Sequence, residues 1–270
     1  MTVYWGPEGV SVVCWEAAGG RPMRCRGTAF LDGEAVDPDR YRGLVRKVSG
    51  TERIRGPRRI RWVVLEEAHR LPGTGSGGGE ARLPGWMWHC WNLLDSRELP
   101  ETVSSATALL EAELGGHPEY LRVGNGLHLR LSGRSVFLGR GEGGVFRRVG
   151  RPGPDPGPDL TDWLRQTRTL FRNRTGSDLK RVYLTGLKPA GPEMDSPVPF
   201  EIIGGVVPAA WRSRSDGQLG MGDLFVHLAA VRQEPQPAAG IPFAGLGKRS
   251  RLWQWERRLR MAVGGVMGCW

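Results

Sequence analysis

Cysteine, histidine and lysine are all scarce in this 270-residue chain. The four cysteines (Cys14, Cys25, Cys90, Cys269) show no metal-ligand spacing, and His89-Cys90 is the one adjacent pair of potential ligands. That excludes a zinc-ribbon or zinc-finger framework, and no metal site is expected. The five histidines (His69, His89, His117, His128, His227) fall in no nucleophile or metal motif, and there is no Gly-x-Ser-x-Gly elbow. Glu66-Glu67 beside His69 reads as a solvated loop rather than an acid/base pair. No basic, apolar-cored leader opens the chain at Met1-Thr2-Val3-Tyr4-Trp5, so the body is expected in the cytosol, where its thiols stay reduced. The C-terminal apolar run from Met261 to Trp270 has ten residues, and a spanning helix needs about 20.

Only four of the 38 basic residues are lysine (Lys47, Lys180, Lys188, Lys248). Arginine in place of lysine, with 41 glycines and 20 prolines, is the usage of a GC-rich genome, so the basic pI alone does not argue for nucleic acid. What does stand out is the tail. Lys248, Arg249, Arg251, Arg257, Arg258 and Arg260 stand against the single acid Glu256, and so supply half of the net charge of +10. Trp253 and Trp255 lie among them. Basic residues and tryptophans ahead of an apolar run match the cytoplasmic face of a membrane, where Lys and Arg stay inside and indole rings sit at headgroup level.

Hydrophobic content of 39% and charged content of 24% indicate a folded body with room for one large domain or two lobes. A hairpin is predicted from Val3-Tyr4-Trp5 through Gly6-Pro7-Glu8-Gly9 to Val10–Trp15, followed by a strand from Met23 to Phe30. Helical spacing covers Pro38 to Val48, alternation covers Arg59 to Leu65, and an amphipathic helix covers Ser104 to Leu114. Strands are predicted at Tyr120–Val123, Leu127–Leu131, Ser135–Leu138 and Val145–Val149, with Gly124-Asn125-Gly126 and Ser132-Gly133-Arg134 as turns. A linker spans Arg151 to Pro158, and Asp159 is placed as the cap of a helix reaching Arg174. Beyond it come strands at Arg181–Thr185 and Phe200–Val207, a helix at Met221–Val231 and a tether from Glu234 to Gly247. Hairpin strands followed by a helix and a further strand occur twice.

Two glycine clusters match G-x-G-x-x-G in spacing alone. Gly73, Gly75 and Gly78 open no helix, and Gly139, Gly141 and Gly144 read as a turn between strands. Neither is followed by Lys-Ser/Thr, so neither is a phosphate loop. Trp86, Met87, Trp88 and Trp91 read as packing more readily than as a partner surface. Arg53, Arg55, Arg58, Arg59 and Arg61 read as a solvated edge, with a phosphate-binding face as the sharper alternative.

The order of elements resembles the actin-like ATPase superfamily, in particular its PilM-type (type IV pilus) and GspL-type (type II secretion) members. The residues that carry it are a first hairpin Val3–Val13, a second hairpin Leu121–Leu131 followed by a third strand Ser135–Leu138, and Val182-Tyr183-Leu184-Thr185-Gly186. The resemblance implies an α/β, actin-like (ribonuclease H-like) two-lobed fold with mixed β-sheets flanked by helices. It divides the chain into lobes at 1–100 and 101–235 and a tether and tail at 236–270. Family members place an aspartate two positions before each hairpin glycine to organise magnesium and water. Here those positions hold Tyr4 and Arg122, and the paired glycines of the adenosine turn become Gly186-Leu187. Without carboxylates the metal has no hold.

The resemblance therefore implies a non-catalytic cytoplasmic scaffold, with no cofactor, on a pilus or secretion platform at the inner membrane. Its partners would be that platform's inner-membrane proteins and, through Lys248, Arg249, Arg251, Trp253, Trp255, Arg257, Arg258 and Arg260, an anionic membrane surface. Any residual ATP contact would run through Gly6, Gly9, Gly124, Gly126 and Gly186. The rival readings are a working ATPase of the same fold and a nucleic-acid-binding protein, the latter lacking any recognised binding module.

Overall fold

Val3 and Trp5 alternate with Thr2 and Tyr4 along β1 (Thr2–Gly6), and the chain turns back into β2 (Gly9–Glu16) with Gly6 opposite Gly9. The computed structural model describes residues 1–6, 9–16, 24–32, 37–50, 60–65, 93–94, 100, 102–117, 119–131, 134–150, 158–185, 197–203, 207, 219–233 and 255. Within them the protein is an α/β fold of two mixed five-stranded sheets and four helices.

The first sheet adds β3 (Arg24–Asp32), β4 (Arg61–Val64) and β5 (Thr102–Ser105) in the order β3-β2-β1-β4-β5. Its first three strands are antiparallel, while β4 runs parallel to β1 and β5 parallel to β4. Helix α1 (Pro38–Gly50) follows β3, and α2 (Ala106–Gly115) follows β5. The second sheet is built the same way. It takes β6 (Asn125–Leu131), β7 (Arg134–Gly141), β8 (Gly144–Gly150), β9 (Arg181–Thr185) and β10 (Phe200–Ile202) in the order β8-β7-β6-β9-β10. Again three antiparallel strands are extended by two parallel ones. Helix α3 (Pro158–Thr175) follows β8 and α4 (Met221–Arg232) follows β10.

Strand alternation then sets the layers. Val3, Trp5, Val12, Trp62 and Val64 face α1, where they pack with Tyr41, Leu44 and Val48. Tyr4, Val13 and Val63 face the other way, onto Leu110 and Leu114 of α2 and Leu224, Phe225 and Leu228 of α4. Leu127, Leu129, Leu131, Val136 and Leu138 of the second sheet join that same core. On the far side Phe137, Val182 and Leu184 pack against Trp163, Leu164 and Phe171 of α3. The layers therefore run α1, first sheet, α2 with α4, second sheet, α3. The central helices touch each other, and α4 touches both β1 and β6.

Several expectations need correction. Tyr120–Val123 is a turn segment with one isolated bridge, not a strand, and Gly124-Asn125-Gly126 is not a hairpin turn. The second hairpin is β6–β7, pairing Asn125–Leu131 with Arg134–Gly141, and Leu127, Leu129 and Leu131 all reach the central core. Gly139 and Gly141 lie inside β7, and Gly144 starts β8; the turn itself is Glu142-Gly143. A carbon on Gly139 would lie 2.8 Å from both Phe137 and Phe171, so this glycine gives the rings room on the sheet. Residues Thr102–Ser105 form a strand of the first sheet, which thus extends past residue 100, and Ser105 caps α2 by accepting from Ala108 N at 3.1 Å. Helix α3 starts at Pro158, so Asp159 lies in its first turn rather than before it. Strand β4 is an inner strand between β1 and β5, not an edge, and β10 ends at Ile202. The tryptophan cluster 86–91, residues 53–59, residues 66–69 and the glycines at 73–78 lie outside the described residues.

Candidate functional site

Helix α4 fixes where the two hairpins end relative to each other. At its C-terminal end, Arg61 at the start of β4 donates from Nη1 to Ala230 O (2.7 Å) and Gln233 O (3.2 Å), where a cation suits the helix dipole. Midway, His227 meets Thr2 near the start of β1. At its N-terminal end, Gly222 lies so close to Arg130 O of β6 that a Cβ would sit 2.1 Å from that oxygen. The N-terminus of α4 therefore lies at the C-terminal ends of β1 and β6. Those ends carry the two hairpin closing pairs, Gly6–Gly9 and Leu131–Arg134.

This shared end is the candidate site. Gly9 admits no side chain, since a Cβ there would fall 2.3 Å from Leu31 O. Arg134 is half-buried, and its Nε is enclosed with no hydrogen-bond partner among the described residues. An anion at this end would face the N-terminus of α4, whose first backbone N–H groups lack intrahelical partners. It would also meet Asp223, a buried carboxylate in the first turn of α4, whose Oδ2 would stand 3.4 Å from a carbon built on Gly220. In its ionised form that side chain would offset the positive end of the helix.

Of the glycines predicted to line a nucleotide cleft, Gly6 and Gly9 are at this end. Gly124 and Gly126 are at the opposite end of β6, where Gly124 (φ +77°) packs against Asp178 O and Lys180. Arg122 is exposed, and its carbonyl accepts from Asn125 N (2.8 Å). By the strand register the counterpart of Tyr4 is Leu129, since Gly6 and Leu131 occupy matching closing positions. Gly186 lies outside the described residues, as do Lys248, Arg249, Arg251, Trp253, Arg257, Arg258 and Arg260; Trp255 is helical and 65% exposed. Among the described residues no helix is long and apolar enough to cross a membrane. Nor do any three His, Cys, Asp or Glu there converge as a metal would need.

Two buried histidines escaped motif analysis because their partners are remote in sequence. His227 Nδ1 lies 2.7 Å from Thr2 Oγ1 and Nε2 lies 2.8 Å from Ser11 Oγ, while Trp15 Nε1 donates to Thr2 Oγ1 at 2.8 Å. One assignment satisfies the Trp15–Thr2–His227 chain: Trp15 donates to Thr2, Thr2 donates to Nδ1, and Nε2–H donates to Ser11. Burial, then the amino group of Met1, lowers the His227 pKa to about 3, so the ring is neutral. His128 is held neutral in the same way, lowered to about 3 by burial and then by Arg130. Its two ring nitrogens have no hydrogen-bond partner among the described residues, and it stands edge-on to Trp163 at 5.2 Å. Fully enclosed in this way, both histidines hold sheets to helices and offer nothing to a substrate. No protein-family model matches the chain and no curated protein matches it in sequence, so the residues themselves carry the functional reading.

Proposed function

We propose that this protein is a non-catalytic, actin-like scaffold on the cytoplasmic side of an inner-membrane platform of the type IV pilus or type II secretion kind. The observation that carries the reading is the duplicated strand order, β3-β2-β1-β4-β5 and β8-β7-β6-β9-β10, with α2 and α4 between the sheets. In the resembled family two such lobes aim their first hairpins at one nucleotide. Here the corresponding ends of β1 and β6 share the N-terminus of α4, but the carboxylate positions hold Tyr4 and Leu129. Counting two back from Gly133 instead falls on Leu131. Magnesium would lack its oxygen ligands, and the phosphates would lack the metal that offsets their charge.

The basic, tryptophan-bearing segment 248–260 supports placement against anionic lipid. Isothermal titration of the full chain with Mg-ATP should give no binding heat up to millimolar nucleotide; micromolar binding would overturn the non-catalytic reading in favour of a working ATPase. Co-purification from detergent-solubilised membranes should recover inner-membrane platform proteins, and recovery of the chain alone would overturn the platform assignment.

A further inference from the structure

Strand β8 (Gly144–Gly150) is an edge of the second sheet, with no strand beyond it among the described residues. A cleft of about 640 Å³ follows this edge, with Thr107 of α2 on one side and Leu170, Arg174 and Thr175 of α3 on the other. Its floor is Val145–Val149, with three consecutive side chains, Phe146, Arg147 and Arg148, between two valines.

We infer that the β8 edge binds an extended acidic segment of a partner protein by strand addition. In an antiparallel ladder a strand spends alternate backbone N–H and C=O groups on its neighbour. Among the described residues strand β8 is bonded to β7 on one side only, so its other set is directed outward for an incoming chain. Two of the exposed large apolar side chains of the described residues, Val145 (37%) and Leu170 (42%), lie in this same cleft. Val145 shares the α2 face with Arg147, and Leu170 is on α3 at the other face, so each face of an added strand meets one apolar side chain.

Charge selects the sign of the remaining positions. Arg148 is turned inward, donating to Trp163 O (3.0 Å) and Gln166 Oε1 (3.1 Å) and lying 4.9 Å over the Trp163 ring. Arg147 is paired with Glu111 of α2 and stays partly exposed. Arg174 is exposed and makes no ion pair among the described residues. A carboxylate on the partner therefore has one free guanidinium and one shared one to meet.

The same arginines disfavour a second copy of this chain. Antiparallel self-pairing centred on β8 would set Arg147 against Arg147, and like charges directly opposite are destabilising. Nucleic acid would use the guanidiniums but not the apolar floor or the outward backbone groups. This surface is separate from the shared hairpin end, so it stands whether or not the scaffold reading does.

The test uses the full chain and an acetylated, amidated octapeptide alternating Glu and Val, with a Lys/Val octapeptide as control. Fluorescence anisotropy should show saturable binding of the acidic peptide only. Hydrogen exchange should show slowed amides within Val145–Val149. Arg174→Glu, at an exposed position, should weaken binding at least tenfold, and Leu170→Glu should weaken it too while leaving the melting temperature unchanged. Absent protection of β8, or equal binding by Arg174→Glu, would overturn the inference. So would concentration-dependent dimerisation that protects β8 without peptide, or a single-stranded oligonucleotide that protects β8 where the peptide does not.

Discussion

Arg232 Nη1 stands 2.7 Å from Glu113 Oε1 and joins the last turn of α4 to α2. The carboxylate is 7% exposed and the guanidinium 48%, so the acid is the member that cannot return to water. Gln233 Nε2 adds a long contact to Glu113 Oε2 at 3.5 Å. Removing the partner therefore harms more than neutralising the acid. Arg232→Met should cost about 1–2 kcal/mol and Glu113→Gln under about 1 kcal/mol, read from urea midpoints at constant m. Equal costs would mean that the pair acts as a solvated surface bridge.

Stability should also fall in mild acid. The unfolded histidine titrates near 6.5, whereas His128 and His227 resist protonation in the folded state down to about 3. Below pH 6.5 the unfolded chain binds protons that the folded one refuses. Each histidine should thus remove about 1.4 kcal/mol per pH unit as pH drops from 6.5 towards 3, with full stability above that window. Urea denaturation between pH 7.5 and 4.5 measures the slope. A flat profile would show that one or both rings reach solvent.

The two histidines should respond oppositely to leucine. His128→Leu removes two nitrogens without partners among the described residues from beside the apolar Trp163 layer, so stability at pH 7 should hold or rise by about 1 kcal/mol. His227→Leu strands the hydroxyls of Thr2 and Ser11, and should cost about 2–3 kcal/mol. Each change should remove one histidine's share of the acid slope.

Gly222→Ala should be among the most damaging single-atom additions. Its Cβ would lie 2.1 Å from Arg130 O and 2.8 Å from Leu131 Cδ2, a clash with backbone that no rotamer relieves. Forcing α4 off β6 should cost about 3 kcal/mol. Gly43→Ala, where nothing lies within 4 Å, is the control and should be neutral or slightly stabilising.

On liposomes, the full chain should float with anionic vesicles at low salt, detach as salt rises, and fail to float once residues 248–270 are deleted. Flotation unchanged by that deletion would remove the tail from the membrane contact.

Elements with one unambiguous period were readable in the residues alone. Helix α1 and strands β1 to β4 lie close to where alternation and 3.6-residue spacing put them, and so does α4. Strand β5 hid because Thr-Val-Ser-Ser is short and runs straight into the Ser105 cap of α2. The second hairpin was misplaced because Gly124-Asn125-Gly126 is a strong local turn signal. Gly124 does take a left-handed φ of +77°, but it bends the chain into β6 rather than between two strands. The pairing of β6 with β7 follows the order of the strands expected at Leu127–Leu131 and Ser135–Leu138. Local chemistry also could not reveal the His227 clamp, whose partners lie 225 and 216 positions away.

The face of the first sheet that carries Tyr4, Val13 and Val63 is covered by α4, an element more than a hundred positions downstream of that sheet's last strand. On the ribosome, at roughly 5–20 residues per second, that face waits about 5–25 seconds for its cover. The amino-terminal half thus emerges with a greasy surface that α2 covers only in part, a surface holdase chaperones can bind until Met221–Arg232 arrives.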